Sequence, residues 1–167
     1  CGGDITRELI RVKNVNTSQA GAYSVSYTSE DSEGKPVSES VRTVTVTDTQ
    51  APTLTLSGNP SVQVECGDTY TDAGASAVDE CDGDITSTIT VNSNLDTSTV
   101  GAYAATYAAA DNSGNQAAEA VRTITVVDTT PPVITLLGNP AVTVQCGAVY
   151  VDAGAAASDA CDGNLSV

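Results

Sequence analysis

The chain has 167 residues and a formal net charge of −15, and it contains no His, Met, Trp or Phe. Without histidine, Ser-His-Asp and Cys-His catalytic sites are excluded and the commonest zinc ligand is missing, so we predict that the chain is not an enzyme. So acidic a surface repels phosphate backbones and anionic lipid, and no apolar run approaches the ~20 residues that cross a bilayer. We therefore expect neither nucleic-acid binding nor membrane insertion.

Alternation of apolar and polar residues predicts short β-strands along the chain. In chain order these strands are 41–47, 53–56, 62–65, 102–108 and 121–127. The strand at 121–127 places Ile124 and Val126 on one of its faces. The strand at 102–108 places Tyr103, Ala105 and Tyr107 together on one of its own faces. The alanine-rich run 73–77 is the one place where we predict a helical turn. Turns are predicted at 58–60, 82–83 and 112–115 from their Gly, Pro, Asn and Asp residues.

One six-residue phrase returns every eighty residues. It reads CGGDIT at 1–6, CDGDIT at 81–86 and CDGNLS at 161–166. Residues 51–86 and 131–166 agree at more than half of their positions, and 101–132 repeats much of 21–52. We predict one complete repeat at 51–130, the back part of a preceding repeat at 1–50 and the front part of a following repeat at 131–167. The chain is then expected to be a slice of a longer tandem array.

Each repeat is predicted to be all-β, because about seven short strands in eighty residues describe a small β-sandwich. The three stretches GNPSVQVECGDTYTDAGASAVDECDGDIT, GAYAATYAAADNSGN and RTITVVDTTPP together resemble the immunoglobulin-like tandem repeat of bacterial surface proteins, adhesins and some crystal toxins. They are also similar to hyalin-type repeats. The resemblance implies tandem immunoglobulin-like β-sandwich domains at a bacterial cell surface. It also implies a tyrosine corner at Tyr103, and at Tyr23 one repeat earlier, whose hydroxyl reaches back to the backbone.

Five cysteines fall in the register of the repeat. The repeat pairs Cys66 with Cys81 and Cys146 with Cys161, each fifteen positions apart, and leaves Cys1 with a partner upstream or in a neighbouring copy. We predict disulfides, because a small secreted-type domain with a lean core benefits from a covalent staple. The alternative is buried free thiols in a cytosolic protein. Zinc is not expected, since no C-x-x-C spacing is present.

Acidic residues around the repeated phrase are candidates for calcium binding. Asp79, Asp82 and Asp84 could supply carboxylate oxygens, although the spacing does not match an EF-hand loop. The alternative is an Asp-Gly turn between strands, which needs no metal. A second candidate lies where repeats join, with Asp48 or Asp128 beside a proline linker and an acidic loop such as 111–115, which contributes Asp111. Apart from calcium, no cofactor is expected.

The sequence favours a structural function, a repeating stalk or filament segment outside a bacterial cell, whose partners are neighbouring repeats or copies of the same protein. Proline-containing linkers at Pro52 and at 131–132 are expected to hold successive domains at short, semi-rigid spacing. In one version, the front part of one copy and the back part of the next complete a sandwich head-to-tail. The alternative is an adhesin module that binds glycan or protein through its loops.

Overall fold

The computed structural model describes residues 10–31, 33–36 and 38–166. Cys1 and the first copy of the repeated phrase therefore lie outside the described residues. Within the described ranges the chain is all-β, as predicted, with one 3-10 turn at Thr86–Thr88 and no α-helix. No helix in this part of the chain has the length and apolar character to span a membrane.

The strands are numbered in chain order. They are β1 (Ile10–Lys13), β2 (Gly21–Thr28), β3 (Ser40–Val46), β4 (Thr53–Leu56), β5 (Ser61–Glu65), β6 (Ala75–Asp79), β7 (Gly83–Asp84), β8 (Thr90–Ser93), β9 (Gly101–Ala108), β10 (Ala120–Val127), β11 (Val133–Leu136), β12 (Ala155–Asp159) and β13 (Gly163–Asn164). They form sheets of order β1-β2-β3, β4-β6-β7, β5-β10-β9-β8 and β11-β12-β13. The predicted helical turn at 73–77 is wrong, because Ala75–Asp79 form the strand β6, in which Ala75 and Ala77 lie on the inward side and Ser76 and Val78 are exposed. The end of this strand pairs with β7 through Val78 and Asp79.

By density of contacts the chain divides into two compact units, each built from three segments. The first contains the described residues up to Thr55 together with Ser76–Ile89 and Ala108–Ala118. The second contains Leu56–Ala75, Thr90–Tyr107 and the described residues from Glu119 onward. The repeat boundaries proposed from the sequence do not coincide with these units and stay a prediction.

The first unit has a small core of short apolar side chains. Ala77, Ile85, Ala109 and Ala117 are buried there, and Leu54 and Ile89 pack against them. The hairpin between β6 and β7 contributes to this core, because the Ile85 N–H donates to the Ala77 carbonyl at 3.0 Å just beyond the turn. Gly83 has a φ of 73°, a left-handed value that favours glycine and lets the chain reverse after only three residues.

The second unit is organised by the four-stranded sheet. Its strand β10 pairs antiparallel with β9 and parallel with β5. Alternation within β10 puts Ile124 and Val126 in the core with no exposed surface, on the face that the sequence predicted. Ala105 and Tyr107 of β9 are buried as well. Arg122 shares the inward face of β10, and its side chain is 1 % exposed.

The buried Arg122 guanidinium is surrounded by oxygen acceptors. Its Nη1 lies 2.5 Å from Asp72 Oδ2 and donates to Tyr107 Oη at 3.0 Å. Its remaining donors reach three backbone carbonyls of the β4–β6 connection, those of Ser57, Asn59 and Gly74. Because every side of the fork has an acceptor, a charge that would be costly in an apolar core is compensated.

Asp72 and Tyr107 complete this network. The Tyr107 hydroxyl donates to Asp72 Oδ1 at 2.5 Å. Burial by itself raises the pKa of Asp72, but hydrogen bonds from Arg122 and Tyr107 outweigh it and lower the pKa to about 2. Burial, together with the Asp72 carboxylate, raises the pKa of Tyr107 to about 12. The network is therefore fully formed only when Asp72 is ionised and Tyr107 is neutral.

Two tyrosines make the hydrogen bond of a tyrosine corner. The Tyr103 hydroxyl donates to the Thr99 carbonyl at 2.9 Å, and the Tyr23 hydroxyl donates to the Gln19 carbonyl at 2.8 Å. Each tyrosine lies near the start of a long strand, Tyr103 in β9 and Tyr23 in β2. The carbonyl that accepts its hydrogen bond stands four residues earlier in the chain. The same local structure therefore recurs eighty residues apart.

We expect the variant Arg122→Met to unfold more easily by about 3 kcal/mol, because the Asp72 carboxylate loses its charge partner and the Ser57 and Asn59 carbonyls lose the guanidinium donors. Adding Asp72→Asn should recover about 1 kcal/mol or more, since the unpaired charge is then gone. Urea unfolding of the two variants and of the parent measures both effects. Equal stability of Arg122→Met and the parent would contradict the role given to the network.

The same network predicts how stability depends on pH. Because the pKa of Asp72 falls from 3.8 to about 2 on folding, its contribution is present above pH 3.8 and is lost as the pH falls towards 2. Because the pKa of Tyr107 rises from 10.0 to about 12, its contribution is lost as the pH rises between these values. Melting curves across these pH ranges should show a smaller acid loss of stability in Asp72→Asn and a smaller alkaline loss in Tyr107→Phe than in the parent.

Candidate functional site

The disulfide of the described residues joins Cys66 to Cys161, with 2.03 Å between the sulfur atoms. The pairings predicted from the sequence, Cys66 with Cys81 and Cys146 with Cys161, are therefore wrong in this structure, and Cys81 and Cys146 are free thiols. In the register of the repeat, Cys161 is the counterpart of Cys81. In the predicted register, the bond connects one cysteine position of repeat 51–130 to the other cysteine position of the following repeat.

The strands explain this pairing. Cys66 directly follows β5, and its N–H donates to the Val127 carbonyl at the end of β10, at 2.7 Å. After Val127 the chain leaves this sheet. Further along it forms the hairpin of β12 and β13, whose turn carries Cys161. Gly67 has a φ of 85°, and a Cβ at that position would lie 3.4 Å from the Ala160 Cβ. Glycine therefore permits the close approach that brings the two sulfur atoms together.

Glu65 holds the short linker between β10 and β11 in place. Its Oε1 accepts the N–H groups of Thr129 and Thr130, at 2.6 and 2.9 Å. Both threonine hydroxyls donate to the same carboxylate at 2.9 Å. Hydrogen bonding by Thr129 is the main reason that the pKa of Glu65 is lowered. The segment before Pro131 and Pro132 is thus held by four hydrogen bonds beside the disulfide.

A cluster of aspartates occupies the first unit. Asp48, Asp82 and Asp111 each offer one carboxylate oxygen, and these three oxygens lie within 4.8 Å of one another. Asp48 also groups in this way with Asp79 and the Cys81 sulfur. Three separate segments supply these residues: the chain after β3, the β6–β7 hairpin and the loop after β9. Of the residues predicted as candidate ligands, the structure brings Asp48, Asp79, Asp82 and Asp111 together.

Hydrogen bonds hold the aspartates in place. Asp79 Oδ1 accepts the N–H groups of Cys81 and Asp82, at 2.7 and 3.0 Å. Asp82 Oδ2 accepts the Asn112 N–H at 2.8 Å, which ties the hairpin to the loop after β9. Within that loop, the Asn115 side-chain amide donates to Asp111 Oδ2 at 2.8 Å and to the Asp48 carbonyl at 3.4 Å. Burial raises the pKa of Asp111, but hydrogen bonds led by Asn115 outweigh it and lower the pKa.

The remaining two candidate ligands lie elsewhere. Asp84 accepts the Thr86 N–H at 2.9 Å at the start of the 3-10 turn and takes no part in the acidic groups of the described residues. Asp128 forms a second group, with Asp159 and Asp162, within the second unit. Each member of this group stands eighty positions after Asp48, Asp79 or Asp82. Sequence reasoning missed Asp159 and Asp162, although the repeat register could have identified them.

The Cys81 thiol faces an acidic environment. Burial raises its pKa, and the carboxylates of Asp48 and Asp79 raise it further. The thiol is therefore protonated at neutral pH and is a poor nucleophile and a poor metal ligand. Cys146, by contrast, is exposed.

A sequence profile of the family described as "Bacterial surface protein, Ig-like domain" matches residues 2–46 and 54–126. The pesticidal crystal protein Cry22Aa of Bacillus thuringiensis is 33 % identical over 147 residues, which cover 84 % of this chain and 18 % of that protein. An uncharacterized 81.3 kDa protein of Acholeplasma phage L2 is 32 % identical over 143 residues, which cover 80 % of this chain and 18 % of the phage protein. The chain thus spans less than a fifth of these relatives.

Solved structures show weaker likeness. The lipoprotein BT2262 of Bacteroides thetaiotaomicron matches with a TM-score of 0.43 and 29 % identity, over 48 % of this chain and 39 % of that one. The CBM51-2 and INT domains of Clostridium perfringens ZmpB, solved in complex with GlcNAc, match with a TM-score of 0.38 and 25 % identity, over 58 % of this chain and 21 % of that one.

The thiols give a direct test of the disulfide. In the folded, unreduced chain we expect iodoacetamide to label Cys146 at least about tenfold faster than Cys81, because Cys81 is half-buried and its raised pKa leaves little thiolate. Cys66 and Cys161 should stay unlabelled. Mass spectrometry of digested peptides measures this, and the reduced, unfolded chain, in which all four react, is the control. Rapid labelling of Cys66 or Cys161 in the folded chain would contradict the pairing.

Proposed function

Because the chain belongs to the bacterial surface protein Ig-like domain family, we propose that it is a structural repeat segment of an extracellular stalk. The observation that carries this proposal is the disulfide between Cys66 and Cys161, two positions of the second unit that the predicted register assigns to successive repeats. A flexible string of independent domains needs no such bond. A stalk does, because bending at the linkers would otherwise shorten it.

The linker contacts support the same function. Glu65 binds Thr129 and Thr130 next to the disulfide, so the connection between repeats is restrained by a covalent bond and by hydrogen bonds. If the same bond formed at every repeat, Cys81 would be joined to the counterpart of Cys66 in a preceding repeat. Cys146 would be joined to the counterpart of Cys161 in a following repeat. We propose that these two free thiols form such bonds in a longer array. The array is then cross-linked at every junction.

The disulfide predicts a specific loss of stiffness. It closes a loop of 95 residues, for which the chain-entropy model gives about 4–5 kcal/mol of stabilisation. We expect Cys66→Ser and Cys161→Ser each to lower the free energy of unfolding by roughly this amount, and Cys146→Ser, the matched control, to leave it unchanged. In a longer array, electron microscopy with and without reductant should show shorter end-to-end distances after reduction. Equal length distributions would contradict the stalk.

The head-to-tail version of the array depends on what completes a partial repeat. In the second unit, Leu136, Tyr150 and Asp152 line an open groove of about 410 Å³. Asp152 is the counterpart of Asp72, which binds Arg122 in the preceding repeat. A strand carrying an arginine in that register therefore has the right chemistry to fill the groove. It can come from the continuing chain or from Arg42 in a neighbouring copy.

Light scattering distinguishes these two sources. If neighbouring copies complete each other, the 167-residue chain forms larger assemblies as its concentration rises, and Arg42→Ala reduces them. A chain that stays monomeric at all concentrations would contradict completion by a neighbouring copy. The adhesive alternative is tested separately on glycan and protein arrays with the same chain, where retention of a specific glycan would favour an adhesin.

A further inference from the structure

The aspartate cluster of the first unit carries an inference that does not depend on the stalk. We propose that Asp48, Asp79, Asp82 and Asp111 bind a calcium ion. These residues come from three segments of the chain and form two groups that share Asp48. Oxygens of Asp48, Asp82 and Asp111 lie within 4.8 Å of one another, and oxygens of Asp48 and Asp79 lie within the same distance in the other group. Calcium takes six to eight oxygen ligands in flexible geometry, and carboxylates from separate loops with water in the remaining positions suit it.

The strongest observation is an unsatisfied buried oxygen. Asp79 is 5 % exposed, its Oδ1 accepts two backbone N–H groups, and its Oδ2 is buried without a hydrogen-bond partner. Asp48 Oδ2 is buried and unpartnered in the same way, while Asp48 Oδ1 accepts the Gln50 N–H at 3.0 Å. A buried carboxylate oxygen with no donor is costly, and two of them in one group repel each other. A cation between them removes both costs.

No basic side chain performs this task among the described residues. The ion pairs there are Lys35 with Glu33 and Arg122 with Asp72, and neither involves the cluster. The donors that reach the cluster are neutral backbone and asparagine N–H groups, and they engage oxygens other than the two unpartnered ones. These donors orient the carboxylates without neutralising them. A bound cation would supply the compensating charge.

The chemistry of the cluster favours calcium over zinc. The four aspartates offer only oxygen ligands, which suit a hard cation such as calcium. Zinc prefers nitrogen and sulfur ligands, and the Cys81 sulfur is the one such atom in these two groups.

The arrangement also recurs in the second unit. Asp128, Asp159 and Asp162 bring their oxygens within 4.8 Å of one another at positions that match Asp48, Asp79 and Asp82. A grouping that returns with the repeat is a property of the repeat rather than an accident of one loop. In both copies, one aspartate precedes the proline linker and two belong to the next hairpin.

Calorimetric titration and melting curves test the site in the 167-residue chain. After treatment with EDTA and its removal, calcium chloride should bind and should raise the melting midpoint by several degrees, as expected for a ligand that binds only the folded state. Asp79→Asn and Asp48→Asn each keep the oxygen that accepts backbone N–H groups and neutralise the unpartnered one. Each should remove one bound equivalent or weaken its binding at least about tenfold. Glu80→Gln removes a charge from the same hairpin and should bind calcium as the parent does.

The sign of the change in EDTA separates a cation site from a purely structural turn. Without calcium, Asp79→Asn relieves repulsion and should melt at or above the parent, whereas in millimolar calcium it should melt below the parent. If Asp79→Asn instead melts lower in both solutions and calcium shifts the two proteins equally, Asp79 only caps its turn and the proposal is wrong. Absence of both heat and midpoint shift in the parent also overturns it. Stronger binding of zinc than of calcium, lost in Cys81→Ser, overturns the choice of metal.

Discussion

The second unit depends on the hydrogen bonds and the ion pair of the buried Arg122 guanidinium. The chain has no Phe, Trp or Met, so its core is made from small aliphatic side chains and tyrosine. Such a core contributes little hydrophobic stabilisation for its size. Arg122 compensates by binding Asp72, Tyr107 and the carbonyls of the β4–β6 connection at once, which fixes that long segment against the sheet. The arginine positions the strands around it, because each of its acceptors has to be in place for the charge to be buried.

The eighty-residue register ties this network to the rest of the chain. Arg42 lies over the Tyr27 ring at 5.8 Å, much as Arg122 lies over Tyr107 at 5.6 Å. The aspartate groups follow the same register, and so do the tyrosine corners. The disulfide differs, because it joins two cysteine positions that the predicted register assigns to different repeats.

The sequence predicted the strands well where alternation was strong, as in β9 and β10, since a period of two is the direct signature of a half-buried strand. It failed at 73–77, where alanines carry no such signal. It also missed Arg122 as a core residue, although Arg122 has the parity of Ile124 and Val126 and is the sole basic residue of 51–130. The predicted cysteine pairing is wrong because it assumes a bond within each repeat, whereas the bond joins Cys66 to Cys161, the next counterpart of Cys81. The convergence of Asp48 with Asp111 was predicted from the linker and loop, but the unpartnered oxygens required coordinates.

Charge distribution links the acidic composition to the aspartate cluster. A net charge of −15 could be spread evenly over a solvated surface, where repulsion is weak. Instead, several carboxylates of the first unit are drawn together, with Asp79 and Asp111 nearly removed from water. Bringing these charges together costs free energy unless something compensates for them. A calcium ion bound there, as proposed, would offset that cost and would make the first unit depend on the calcium concentration of the surrounding solution. The disulfide makes the second unit depend on an oxidising solution, so each unit would respond to a different property of its surroundings.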